Sequence, residues 1–204
     1  QGKPLTAQAL SDGDRKLVLD GLRAACDAKD GLADGMISDP VGCTFDPEAL
    51  RCALDAAKGD GCLTGQQAAA IKKAFAGPKD SKGNQVYPGF LYDTGIAEGR
   101  GIPGVLRSPS PPGPPIQSLE MDVDREARAV DTDPQAILTD TWSWTNLNTF
   151  SGRGGKLLFF HGVSDPWFSA LDTVDYYERV GRDNGGPGEV RNWSRLFLSP
   201  GMGH

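Results

Sequence analysis

The stretch GKLLFFHGVSDPWFSALDTVDYYERVGRD, residues 155–183, decides the fold class. KLLFFHG is an apolar run bounded by glycines, the pattern of a strand buried in a parallel sheet. SALDTVDYYERVGRD then places Leu171, Val174, Tyr177 and Val180 on the inward face of an amphipathic helix. RLFLSPGMGH, residues 195–204, is a second apolar strand that runs into a turn. Strand, loop, helix and strand in succession make an α/β unit.

Upstream of this unit the pattern is helical and rich in loops. Leu10, Val18, Leu22 and Ala25 have helical spacing, with Ser11 or Asp12 as the cap of a helix reaching Cys26. TFDPEALRCALD, residues 44–55, predicts a second helix with Asp46 at the cap and Pro47 in the first turn. TGQQAAAIKKAF opens a third on Thr64 and stops before Gly77 and Pro78. GPKDSKGNQVYPGF reads as turn, short strand, turn, and a further helix is expected at about Gln135–Trp144. A proline-rich stretch over 107–118 can only be an extended loop or linker.

Composition agrees with long loops. Of 204 residues, 27 are glycine and 15 proline, while hydrophobic residues make up only 38%. A net charge of −6 without a Lys/Arg cluster argues against nucleic acid or an anionic membrane as partner. No apolar run approaches the roughly 18 residues of a membrane span, and no signal peptide is read. The chain opens on Gln1 and not on Met, so the start of the gene product is expected upstream.

Four cysteines, Cys26, Cys43, Cys52 and Cys62, lie close together. Only two histidines and no CxxC pair accompany them, which disfavours a zinc or redox site. Two local disulfides in an oxidising compartment fit better. Three pairings are open, and in one of them nearest neighbours would each staple a short loop.

Asp165 falls just past the end of the first strand and His204 just past the second. Ligands of open α/β sheets bind at such strand ends. An Asp followed by a His is the tail of the Ser…Asp…His order of α/β-hydrolases, in which the His takes a serine proton and the carboxylate holds its tautomer. The plainer alternative makes Asp165 a helix cap and His204 a terminal residue. No serine sits in G-x-S-x-G, so the nucleophile is expected upstream of Gln1.

Asp27, Asp30 and Asp34 share one loop with Gly31 and Gly35. Clustered carboxylates repel unless a cation sits among them, and hard oxygen donors suit calcium, with the carbonyls of Leu32 and Met36 able to complete the shell. The spacing is not that of an EF-hand, and a solvated acidic turn is the alternative. Trp142, Trp144, Phe150, Trp167 and Phe168 flank the strand ends and could wall an apolar pocket, although core packing is their commoner job. Asn192-Trp-Ser is a formal glycosylation sequon of low specificity.

Four segments together resemble the tannase and feruloyl esterase family of secreted serine esterases, which includes mono(2-hydroxyethyl) terephthalate hydrolase-like members. They are CDAKDGLADGMISDPVGCTFDPEALRC, CLTGQQAAAIKKAFAGPKDSKGNQVYPG, GGKLLFFHGVSDPWFS and RLFLSPGMGH, in that order. The resemblance implies an α/β-hydrolase catalytic domain, here partial with C-terminal strands only, interrupted by a large helical lid. Residues 1–148 would be the lid with its calcium loop, and 149–204 the catalytic part. It implies structural calcium on Asp27, Asp30, Asp34 and the carbonyls of Leu32 and Met36, and pairings Cys26–Cys43 and Cys52–Cys62. Asp165 and His204 match the triad acid and base, while His161 and Phe168 match positions near the substrate pocket.

The family nucleophile lies in a Cys-Ser-x-Gly-Gly turn upstream of the lid, and this sequence contains no such turn. The oxyanion hole belongs to the same half, and the Cys that follows the family's triad His is also not present here. The expected function is hydrolysis of aromatic acyl esters, feruloyl or gallate, with the serine supplied by the rest of the polypeptide or by a second processed chain. A terephthalate monoester hydrolase-like activity and a non-catalytic calcium-binding module are the alternatives.

Overall fold

The computed structural model describes residues 10–53, 57–98, 102–103 and 122–204. The proline-rich stretch 107–118 lies outside them.

Ser11 starts the first helix, α1 (Asp12–Cys26). Its hydroxyl accepts from the Asp14 amide, while the Asp14 carboxylate accepts from the Ser11 amide, so two otherwise orphaned donors are satisfied reciprocally. Thr64 and Gln67 repeat the device at the start of α2 (Gly65–Phe75). The two helices share a core of Val18, Leu63, Ala68, Ile71, Phe75 and Ile96, and Leu22, Cys26 and Ile37 extend it. Asp14 is buried beside this core and is held by Lys58 Nζ at 2.7 Å and Gln67 Nε2 at 2.9 Å.

The helix expected over 44–55 is a single 3₁₀ turn, Pro47–Leu50, capped by Asp46. The Leu50 carbonyl is taken by the Leu63 amide and the Cys52 amide by the Leu63 carbonyl, so the chain leaves the helix to pair with the segment before α2. The Cys52–Cys62 disulfide clamps that pairing, and Cys26–Cys43 closes the acidic loop. Both bonds pair nearest neighbours, as the family resemblance implies. The short strand expected within 77–90 is only an isolated bridge between Lys79 and Gln85. Gln85 Nε2 donates to the carbonyls of Ala76, Pro78 and Tyr87, fixing a tight turn instead of a strand.

Two short helices follow, α3 (Val123–Thr132), which was not expected from the sequence, and α4 (Pro134–Thr139). The helix expected at Gln135–Trp144 thus ends five residues early. Asp140 stops it: the Asp140 carboxylate accepts from the Trp142 amide and turns the chain. Residues 141–147 are fastened to the last long helix through Arg179 and Asn184.

After α5 (Asn148–Gly152), the strand–helix–strand unit appears as expected. β1 (Leu157–Gly162) pairs in parallel with β2 (Ser194–Ser199), in register from Leu157 opposite Ser194 to Gly162 opposite Ser199. Between them run α6 (Ala170–Asp183), capped by Ser169, and α7 (Pro187–Val190). Phe159 meets the edges of Tyr176 and Tyr177 on α6, and Val180, Val190 and Trp193 form the core below. The expectation of strands buried on both faces is not met. Leu158, Phe160 and Phe197 point to the face opposite α6 and are 61%, 66% and 53% exposed. Strand side chains alternate, and α6 covers only one face of this pair.

The segment 87–95 joins the two cores. Tyr87 Oη accepts from the Ser169 amide, and Ser169 Oγ donates to the Gly89 carbonyl. No helix among the described residues is long and apolar enough to cross a membrane.

Candidate active site

The ladder between β1 and β2 continues beyond the strands. The Val163 amide donates to the Ser199 carbonyl and the Ser164 amide to the Met202 carbonyl, both at 3.0 Å. This approach requires glycine at 162, because a Cβ there would lie 2.3 Å from the Met202 carbonyl oxygen. Gly201 turns the second loop with φ +72°, a conformation that favours glycine. The two loops thereby carry Asp165 and His204 to one point.

His204 Nδ1 lies 3.0 Å from Asp165 Oδ2. The other carboxylate oxygen accepts from the Trp167 amide at 2.8 Å and the Phe168 amide at 3.1 Å. An ionised carboxylate can only accept, so Nδ1 carries the proton and the Nε2 lone pair remains as a base. Burial disfavours the Asp165 charge, but the amides of Phe168 and Trp167 together with His204 outweigh it and hold the carboxyl below its ordinary value. The carboxylate is buried and the His204 side chain half exposed. That is the asymmetry an oriented general base needs. Asp165 does not cap α6, a place taken by Ser169; it holds the 165–168 turn before that helix with one oxygen and His204 with the other.

Of the five aromatics near the strand ends, Trp167 and Phe168 flank His204, with ring centroids 4.8 and 5.4 Å away. Both are more than half exposed. Trp142 instead stacks on the Arg179 guanidinium, and Phe150 packs edge-on against Trp193. His161 is mostly buried and engaged at both nitrogens. Nε2 donates to the Phe168 carbonyl at 3.1 Å, and Nδ1 lies 2.6 Å from Thr173 Oγ1 on α6. It fixes the 165–168 turn against the helix.

The acidic loop is built differently from a ready ion cage. Asp27 accepts from the amides of Asp34 and Gly35, Asp30 from those of Leu32 and Ser38, and Asp34 from that of Met36. The Ser38 and Leu32 amides hold the Asp30 carboxyl below its usual range. Among the described residues no three carboxylate, imidazole or thiol side chains converge on a metal position. The donors are hard oxygens of the kind calcium takes, and in this arrangement the carboxylates also accept from the loop's own amides.

One buried residue went unread in the sequence. Asp93, only 2% exposed, accepts from Ser164 Oγ and from the Gly201 amide, both at 2.6 Å and both on Oδ2. Nothing local to Asp93 signals this, since its partners lie 71 and 108 residues away.

The family described as tannase and feruloyl esterase matches residues 4–104 and 116–204. A mono(2-hydroxyethyl) terephthalate hydrolase of Piscinibacter sakaiensis is 32% identical over 100% of this chain and 42% of its own length. Feruloyl esterase B of Aspergillus niger is 32% identical over 88% of this chain and 36% of its own. The crystal structure of an esterase from Aspergillus oryzae superposes with a TM-score of 0.78 at 25% identity, covering 100% of this chain and 42% of the other. The chain thus spans about two fifths of the length of these relatives.

Proposed function

The chain belongs to the tannase and feruloyl esterase family, and on that premise we propose that it carries the acid and base of a serine carboxylic ester hydrolase. The observation that supports this is the Asp165–His204 pair at the ends of two adjacent parallel strands. In the proposed reaction His204 Nε2 takes the proton of a serine hydroxyl as that oxygen attacks the ester carbonyl. The same proton then passes to the departing alcohol, and water releases the acid by a second round through His204. Among the described residues no serine hydroxyl is hydrogen-bonded to His204. The nucleophile and oxyanion hole are proposed to come from residues outside this sequence, in the same polypeptide or in a second chain, because the Cys-Ser-x-Gly-Gly turn that the family resemblance leads one to expect is not among these 204 residues.

The substrate class proposed is an aromatic acyl ester, feruloyl, another hydroxycinnamoyl, or galloyl. The exposed rings of Trp167 and Phe168 beside His204 offer it two apolar walls, while His161 sets the turn that presents Phe168. Residues 1–148 are read as a lid and 149–204 as part of the catalytic domain. Two disulfides among the described residues suit an oxidising compartment, so secretion is proposed. Calcium on Asp27, Asp30, Asp34 and the Leu32 and Met36 carbonyls is proposed as a structural ion. It rests on the oxygen-only donor set in a disulfide-closed loop.

Incubating the intact protein with a fluorophosphonate and with methyl ferulate, a gallate ester and mono(2-hydroxyethyl) terephthalate tests the reading. Covalent labelling together with hydrolysis of one of these esters, both lost in His204→Ala, is expected. Undiminished hydrolysis in His204→Ala would overturn it. Preference for the terephthalate monoester would select the second reading, a terephthalate monoester hydrolase-like activity, for which the similarity to the Piscinibacter hydrolase is the support.

A further inference from the structure

We propose that Asp93 is a positioning residue for the acid–base pair, clamping together the two loops that carry it. This deepens the proposed esterase reading and rests on it. Ser164 immediately precedes Asp165, and Gly201 stands in the turn that leads to His204. Asp93 Oδ2 accepts from both, while its Oδ1 is buried without a hydrogen-bond partner. Two donors thus converge on one oxygen of a carboxylate that is closed off from water. Ser164 Oγ also accepts from the Gly95 amide at 3.0 Å, which fixes the hydroxyl proton toward Asp93.

The geometry gives the residue a specific task. The backbone bonds from Val163 and Ser164 to the second loop fix the spacing of the loops near the strands. They leave the Gly201 turn to be held from outside the sheet, and the Asp93 carboxylate does this. Without it the buried Ser164 hydroxyl would lack its acceptor and the Gly201 amide would lose the group that ties its turn to the first loop, so the loops would shift. A displacement of the His204 loop lengthens the single bond to Asp165 that selects the Nδ1–H tautomer. Asp93 lies in the segment proposed as lid, so the lid side would help set the geometry of the base.

The test compares Asp93→Ala and Asp93→Asn with wild type in the intact protein. The His204 tautomer is read from imidazole ¹⁵N shifts, and kcat and KM from a hydroxycinnamate ester. In wild type the proton is expected on Nδ1. In Asp93→Ala it divides between the two nitrogens, and kcat falls roughly a hundredfold while KM changes by less than about twofold. Asp93→Asn keeps one oxygen for both donors and recovers kcat to within about tenfold of wild type. An Asp93→Ala protein with the wild-type tautomer and kcat, even if less stable, would overturn the proposal.

Should Asp93→Ala fail to fold, Ser164→Ala removes one of the two tethers and must shift the tautomer in the same direction; an unchanged tautomer there overturns the proposal as well. Failure of the esterase reading shows separately, as a wild-type protein that hydrolyses none of the esters. The ¹⁵N readout still decides the role of Asp93 in that case.

Discussion

His204 Nδ1 lies 3.0 Å from Asp165 Oδ2, and the opposite oxygen of the same carboxylate is held by two backbone amides. The carboxylate therefore cannot rotate away from the imidazole without abandoning the turn that leads into α6. Orientation of the base and folding of the 165–168 turn are one interaction.

Asp165→Asn separates the two roles. The amide oxygen can still accept from Trp167 and Phe168, so the turn persists, but its NH₂ now faces His204 and favours the tautomer with the proton on Nε2. A fall in kcat of about 10⁴-fold with little loss of thermal stability is expected, measured by steady-state kinetics and thermal unfolding of the intact protein. A comparable loss of both would mean that the carboxylate serves chiefly to hold the turn.

Stability should fall in acid through two identified carboxylates. Asp165 lies below the ordinary value because its amide donors and His204 outweigh burial, and Asp14 because Lys58 and the Ser11 cap do the same. For each depressed group the stabilisation is complete above the unfolded value of about 4 and is lost as pH drops through the lower folded value. Denaturant titrations are thus expected to show a flat stability above about pH 5 from these groups and a decline below pH 4. Asp14→Asn should flatten part of that decline.

The proposed calcium loop makes a separable prediction. Chelation of the intact protein should lower the unfolding temperature more than it lowers turnover at low temperature, because the loop is packed against α1 and not against His204. Asp27→Asn should remove the calcium-dependent part of the stability. Equal loss of turnover and stability in a folded sample would count against a purely structural ion, and an unfolding temperature insensitive to calcium would remove the ion altogether.

Local rules made much of the architecture legible. The Ser11 and Thr64 caps, the apolar runs of β1 and β2 and the helix between them each carry their signal within a few residues. What escaped depends on distant partners or carries only a short signal. The Pro47 helix is cut short because Leu63 takes the Leu50 carbonyl, a competition invisible in the segment itself. Helix α3 has Val123, Ala127 and Val130 at helical spacing behind an Asp122 cap, but this signal is short and set among charged residues. Asp165 and His204 were legible from their strand-end positions, whereas Asp93 is an isolated acid whose role exists only after folding.

Gly162→Ala tests the close approach that brings the pair together. A Cβ at this position would sit 2.3 Å from the Met202 carbonyl oxygen and 2.7 Å from that of Gly203, both backbone atoms that cannot swing aside as a side chain would. The β1 end and the His204 loop must therefore separate, which strains the Ser164-to-Met202 hydrogen bond and moves His204 relative to Asp165. A destabilisation of about 2 kcal/mol is expected from the forced backbone shift. Turnover should drop by more than this loss of stability explains, when measured well below the unfolding temperature. Gly188→Ala, where nothing lies within 4 Å of the added carbon, is the control: it should leave turnover unchanged and, lying within α7, leave stability equal or slightly raised. Wild-type turnover in Gly162→Ala would show that His204 reaches Asp165 without the tight contact between the two loops.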